Sequence, residues 1–135
     1  MPIDRPARAR VEAGTVWGPT VGYSRATRVG ERVVVAGTTG LGPDGRVVPG
    51  GMEAQARQAL RNIVAALEQL GARPADVVRT RIFVTDISQW EAAGRAHGEV
   101  FADIRPASTM VEVRRLIDPE MLVEIEAEAI VVGER

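Results

Sequence analysis

A chain of 135 residues, 45% hydrophobic and 26% charged, with a formal net charge of −1, has the size and composition of one ordered domain. The near-neutral balance gives no attraction for a polyanion, so nucleic acid is not an expected partner. With no cysteine and a single histidine, His97, disulfides, thiolate chemistry and a histidine metal cluster are excluded, no metal or cofactor is expected, and any chemistry must come from Glu, Asp, Tyr, Ser, Thr, Arg or the backbone.

The first twenty residues, from "MPIDRPARARVEAG" onward, are basic at the start but carry no hydrophobic signal core, and they are expected to be an irregular N-terminal segment with a frayed start. No run of about eighteen apolar residues occurs, so no membrane partner is expected and a cytoplasmic location follows. Trp17 in this segment is either a packed anchor or a platform for a ligand. Next, "ATRVGERVVVAGTTG" contains two strand-like runs that turn at Val29-Gly30-Glu31, and the Gly-rich "TTGLGPDGRVVPGG" predicts a turn, a short strand and a turn. It is not a phosphate loop, because the Lys-Ser/Thr ending is missing and no helix begins directly after it.

From Met52 to Leu70 the apolar residues Met52, Ala56, Ala59, Leu60, Ile63, Val64, Leu67 and Leu70 keep helical spacing, and Gly71 supplies a C-terminal stop. "DVVRTRIFVTDI" then alternates as a strand. Ser88 and Glu91 have capping-box spacing, which predicts a second helix from Gln89 to about Ala102 with Trp90, Ala93, His97, Val100 and Phe101 on its inner face. Two more strands, "STMVEVRR" and "LVEIEAEAIVV", flank the loop "LIDPEM", where Pro119 stops any helix. The order is ββ(β)αβαββ, a single α+β domain over residues 1–135 with two helices packed on one face of a mixed sheet.

Alternation predicts one apolar sheet face of Val78, Thr80, Ile82, Val84, Val111, Val113, Ile125, Ala127 and Ala129. The other face carries Arg79, Arg81, Glu112, Arg114, Glu124, Glu126 and Glu128. The charged face is either a solvated surface with cross-strand ion pairs, each worth about 0.2–1 kcal/mol, or a polar subunit interface whose charges must be compensated.

Taken in order, "GYSRATRVGERVVVAGTTG", "QARQALRNIVAALEQLGARPADVVRTRIFVTDI", "RPASTMVEV" and "LVEIEAEAI" resemble the YjgF/RidA family, also labelled endoribonuclease L-PSP or translation-inhibitor-like proteins, from about Val21 to Val132. The resemblance implies a chorismate-mutase-like subunit and a homotrimer whose sheets form a central barrel with small-molecule clefts between subunits, and it favours the interface reading of the charged face. It also implies hydrolysis of enamines and imines such as 2-aminoacrylate to keto acids and ammonia. On this reading Tyr23, Gly37, Thr38 and Phe83 line the pocket and Glu124 positions water. The family's carboxylate-holding arginine, in a "PARS" strand, falls at Ser108, and Met110, two residues on, points the same way. A seryl hydroxyl in place of a paired, charge-assisted arginine weakens an anionic ligand by roughly 1.5–3 kcal/mol, unless Arg105 or Arg25 supplies the charge.

Each of these residues also has a plainer role. Tyr23 can bond backbone, Glu124 can be one more member of the charged face, as Glu126 and Glu128 are expected to be, and His97 is expected to be a packed or edge histidine. Three function classes remain: a divergent imine or enamine deaminase, a non-catalytic metabolite-binding trimer, and a ribonuclease, against which the acidic balance and scarce aromatics argue.

Overall fold

The computed structural model describes residues 7–133. In chain order the elements are β1 (Arg8–Glu12), a one-turn helix α1 (Gly18–Val21), β2 (Ser24–Val29), β3 (Arg32–Thr39), α2 (Gly51–Gln69), β4 (Val77–Val84), α3 (Trp90–Phe101), β5 (Ala107–Glu112) and β6 (Val123–Ile130). The strands form one sheet in the order β1-β2-β3-β6-β4-β5. Only β4 and β5 are parallel, the pair joined through α3, because parallel neighbours need a long crossover whereas the other pairs close antiparallel.

The two long helices lie on one face of this sheet, as the sequence predicts. On α2 the buried positions Met52, Ala56, Ala59, Leu60, Ile63, Ala66 and Leu67 form one stripe. Gly71 takes the left-handed conformation (φ 79°) just past its end, where the Ala72 N–H donates to Leu67 O at 2.9 Å. Gln55, buried among the apolar residues of that stripe, donates to Glu120 O at 3.0 Å and accepts from the Leu122 N–H at 2.8 Å, tying α2 to the loop before β6. Gly40 is packed so closely that a Cβ there would lie 2.6 Å from Gln55 O.

Five expectations are corrected. Within the segment read as irregular over 1–20, residues 8–12 pair antiparallel with β2 and 18–21 make a helical turn; the frayed start falls on residues 1–6, outside the described residues. The pattern of β1 is hidden because only Val11 is partly buried against the core, as befits a charged edge strand that is held by backbone bonds. The short strand expected in the Gly-rich stretch is a single bridge, Leu41 to Val47. In β4 an irregularity between Val77 and Arg79 buries Val77 and leaves Val78 44% exposed; an extra residue shifts parity. In β5 the parity is opposite to expectation: Ser108, Met110 and Glu112 register with the inward Thr80, Ile82 and Val84, so Val111 is 42% exposed, and Glu112 leaves the charged face to accept from the Ile87 N–H at 3.1 Å. Finally, α3 begins without a side-chain cap. Asp86 accepts from the Ser88 N–H and hydroxyl at 3.0 and 2.6 Å instead, and Trp90 at the helix start is 55% exposed rather than inward.

The rest of the charged face is as expected. Arg81 Nη1 lies 3.5 Å from Glu126 and 3.2 Å from Glu128, and Arg32 reaches Glu128 at 3.2 Å, the cross-strand pairing that alternation on β4 and β6 demands.

Candidate active site

Tyr23 precedes β2, and Arg25 lies two residues further along the chain. Because Ala26 turns into the core, alternation sends both Tyr23 and Arg25 to the face away from the helices. Across the sheet, β6 buries Val123, Ile125 and Ala127 and so presents Glu124 and Glu126 on that same outer face. Between them β3 is irregular from Val35 to Thr38, and Gly37 in this irregularity lets the Glu124 carboxylate lie against bare backbone. A Cβ at Gly37 would stand 2.8 Å from Glu124 Cδ, so any other residue there displaces the carboxylate.

These groups surround a cavity of about 340 Å³. Thr15, Trp17 and Val21 close it from the N-terminal segment, Ile117 and Met121 from the loop before β6, and Tyr23, Arg25, Gly37, Glu124 and Glu126 from the sheet. The wall is fixed by a bond of 2.6 Å between the Thr15 and Tyr23 hydroxyls. Arg25 lies over the Tyr23 ring at 5.6 Å, a cation–π distance, and donates through Nη1 to Thr38 Oγ1 at 3.3 Å. Thr38 in turn donates to Ala36 O at 2.7 Å. Arg25 Nε is buried and has no hydrogen-bond partner among the described residues.

The electrostatics follow from burial. Desolvation pushes the Glu124 carboxyl above its ordinary pKa, the neighbouring Glu126 charge adds to this, and Arg25 opposes it. Desolvation also lowers the Arg25 pKa from its ordinary value, against the pull of Tyr23 and Glu124. A half-buried carboxyl with a raised pKa beside a guanidinium is placed to exchange a proton while an anion is held alongside it.

Of the residues singled out from sequence, Tyr23, Gly37 and Glu124 meet at this cavity. Thr38 is buried behind it as the support of Arg25. Phe83 registers with Glu124 across β4 and β6 but is not part of the cavity wall. Ser108 and Met110 lie on the opposite face: Thr80 Oγ1 donates to Ser108 Oγ at 2.8 Å, and Met110 packs against the core. Arg105, in a left-handed conformation (φ 54°), turns its Nε to Ala102 O at 3.0 Å. Trp17 lines the cavity. Glu126, expected to be only surface, lines it too, as do Thr15, Val21, Ile117 and Met121. The parity of β6 that singles out Glu124 applies equally to Glu126; nothing local in sequence marks the loop residues.

Known proteins share this fold. Residues 13–131 match the Endoribonuclease L-PSP family. The crystal structure of Rv2704 from Mycobacterium tuberculosis, described as a member of the YjgF/YER057c/UK114 family, is 54% identical and superposes with a TM-score of 0.83 over 93% of this chain and 100% of that one. A RutC family protein of Pyrococcus abyssi is 35% identical over 106 residues, 78% of this chain and 83% of that one. The 2-iminobutanoate/2-iminopropanoate deaminase of Escherichia coli is 32% identical over 111 residues, covering 80% and 86%. The helices on one face of the mixed sheet are the chorismate-mutase-like subunit that the resemblance implies, and the chain belongs to the Endoribonuclease L-PSP, or YjgF/RidA, family.

Proposed function

We propose that the protein hydrolyses small imines bearing a carboxylate, with Arg25 as the anion-holding group in place of the family's strand arginine. The observation that carries this reading is Arg25 itself: a half-buried guanidinium with a buried, unpartnered Nε among the described residues, in the same cavity wall as the Glu124 carboxyl. A buried donor without a partner is costly to leave so, and a bound carboxylate would satisfy it. The E. coli relative, a 2-iminobutanoate/2-iminopropanoate deaminase by name, supports the reaction class.

The imine carbon is already electrophilic, so the protein's task is placement and proton transfer. A water oxygen forms a bond to that carbon as the C=N π electrons move to nitrogen, which takes a proton from protonated Glu124. The Glu124 carboxylate takes one proton from the added water to leave a neutral carbinolamine, passes that proton to the amino nitrogen, and accepts the remaining hydroxyl proton as the C–N bond breaks and ammonia leaves. The products are a keto acid and ammonia, and the atoms balance with one water consumed.

The assembly belongs to the same proposal. The charged sheet face of Arg32, Arg81, Glu126 and Glu128, internally paired, suits contact between copies because its charges are already compensated, and a homotrimer is the expected state. A non-catalytic metabolite-binding trimer using the same cavity is the alternative that the test separates.

The test is release of ammonia and pyruvate from 2-iminopropanoate generated in situ by an amino-acid oxidase. Acceleration by the wild type that is lost in Glu124→Gln and weakened in KM by Arg25→Met supports the reading. Binding of pyruvate with no acceleration leaves the binding module, and no dependence on Arg25 removes the anchor.

A further inference from the structure

The cavity has two walls of unlike character. Tyr23, Arg25, Glu124 and Glu126 reach it from the sheet, whereas Trp17, Val21, Ile117 and Met121 reach it from the N-terminal segment and the loop before β6. The second wall is held in place by local bonds. The Val21 N–H donates to Trp17 O at 3.0 Å across the single turn of α1, and residues four apart on a helical turn share a face. Met121 is buried, and Gln55 clamps the residues on either side of it, through Glu120 O at 3.0 Å and the Leu122 N–H at 2.8 Å.

The hydrolysis proposed above uses only the first wall. A 2-imino acid whose side chain is a single methyl group sets its carboxylate and imine against Arg25 and Glu124 and has almost nothing to lay against the second. The cavity, about 340 Å³, lies within the range of pockets for larger ligands, about 300–1,000 Å³. Of the residues lining it, Val21 and Ile117 are 66% and 62% exposed. An apolar chain laid over them removes hydrocarbon from water on both surfaces. A polar or acidic chain finds no such compensation, because Val21, Ile117 and Met121 offer no side-chain hydrogen-bond donor and the Glu126 carboxylate repels a second negative charge.

We infer that Trp17, Val21, Ile117 and Met121 form a side-chain subsite that selects 2-imino acids with extended or branched aliphatic side chains over methyl-bearing and acidic ones. This deepens the proposed function and rests on it for the polar end of the ligand. The imine carbon is trigonal: with its carboxylate on Arg25 and its nitrogen toward Glu124, the third substituent points away from both, off the sheet and toward the second wall. The four residues of that wall take no part in the proton transfers and act on specificity alone. Each methylene buried against them is worth about fourfold in affinity.

The experiment measures dissociation constants of pyruvate, 2-oxopentanoate, 4-methyl-2-oxopentanoate and 2-oxoglutarate for the intact protein, and kcat/KM for the imines of the first three made in situ by an amino-acid oxidase. Affinity should rise by about tenfold or more from pyruvate to 4-methyl-2-oxopentanoate, and 2-oxoglutarate should bind more weakly than 2-oxopentanoate, its counterpart without the second carboxylate. Ile117→Ser and Trp17→Ala should each lower the 4-methyl-2-oxopentanoate to pyruvate ratio by about threefold or more, whereas Arg25→Met should weaken both acids and leave the ratio in place. Ile117 is exposed on its loop, so Ile117→Ser carries the test if thermal unfolding shows Trp17→Ala to be unstable. No measurable binding of 4-methyl-2-oxopentanoate, equal affinity along the series, tight binding of 2-oxoglutarate, or a ratio that survives both substitutions would overturn the inference. In the last case, a change of assembly in the same variants by light scattering would assign the wall to contact between copies instead. Catalysis is judged separately: selective oxo-acid binding without ammonia release removes the proposed activity and keeps the subsite, whereas ammonia release indifferent to the side chain, with no ratio in binding, does the reverse.

Discussion

The two faces of the sheet hold their polar groups on opposite terms. Around the outer cavity, Arg25, Glu124 and Glu126 bring three formal charges together, and burial displaces the pKa values of Arg25 and Glu124. On the helix face, Thr80, His97 and Ser108 satisfy one another without any charge. A hydroxyl–imidazole chain can be buried against the core at little cost because each member has a partner. A cluster of charges cannot, and it persists at the open side, where ligand, water or another copy can complete it. Charge therefore marks where chemistry is expected, and the neutral chain marks where polar groups are satisfied within the fold.

The comparison breaks most visibly at Glu124. Glu124→Gln keeps the shape of the side chain but removes the proton carrier, and turnover of 2-iminopropanoate should fall by about 100-fold or more, read from the rate of ammonia release. Gly40→Ala and Gly37→Ala then separate fold from site. At Gly40 the added methyl meets the Gln55 backbone at 2.6 Å, so thermal unfolding should register a loss of about 1–3 kcal/mol. At Gly37 it meets only the movable end of Glu124; the melting temperature should change little while kcat drops, and a crystal structure should show the carboxylate displaced.

Stability should also depend on pH with opposite signs for the two regions. Glu124 has a raised pKa in the folded state, so its contribution is present below the ordinary carboxylate range and is lost as pH rises through the raised value. Glu124→Gln should consequently be more stable than the wild type at neutral pH, an advantage that disappears in acid. His97 has a lowered pKa when folded, so the unfolded chain binds the proton first, and stability should fall as pH drops through about 6.5 toward the folded value. Denaturant midpoints across pH 4–8 (about the range in which both groups titrate) check both signs, and His97→Gln should flatten the acid limb. The smallest effect is expected at the exposed pair Arg57–Glu99, bonded at 2.9 and 2.6 Å between α2 and α3. Its removal should leave both faces and the melting temperature nearly unchanged, because exposed pairs are screened by water and salt.

Much of this was legible from period alone. The α2 stripe, the Gly71 stop and the Glu124/Glu126 alternation are patterns that burial imposes on neighbouring residues, and a reader of the chain can recover them. What was hidden is what depends on a partner distant in sequence. The parity of β5 is set by its register on β4, and Val77 against Val78 is set by an irregularity that no local pattern announces. Strand β1 is held by backbone pairing rather than by buried side chains, so its composition reads as loop. Arg25 was within reach, two residues from Tyr23 on the same face, whereas the cavity walls Ile117 and Met121 arrive from a loop whose path is fixed by Gln55, 62 or more positions earlier in the chain.

Among the described residues, every buried hydrophobic residue of the core lies at position 26 or later, while Thr15, Trp17 and Val21, one side of the cavity, come before it. The buried core and this wall thus come from separate stretches of the chain. Substitutions at the cavity-lining positions Thr15, Trp17 and Val21 can reshape what the cavity admits while leaving the buried core unchanged, which leaves ligand preference free to diverge between relatives whose cores remain alike. It also makes residues 13–22 the place where an insertion or substitution would yield a folded protein with an altered cavity.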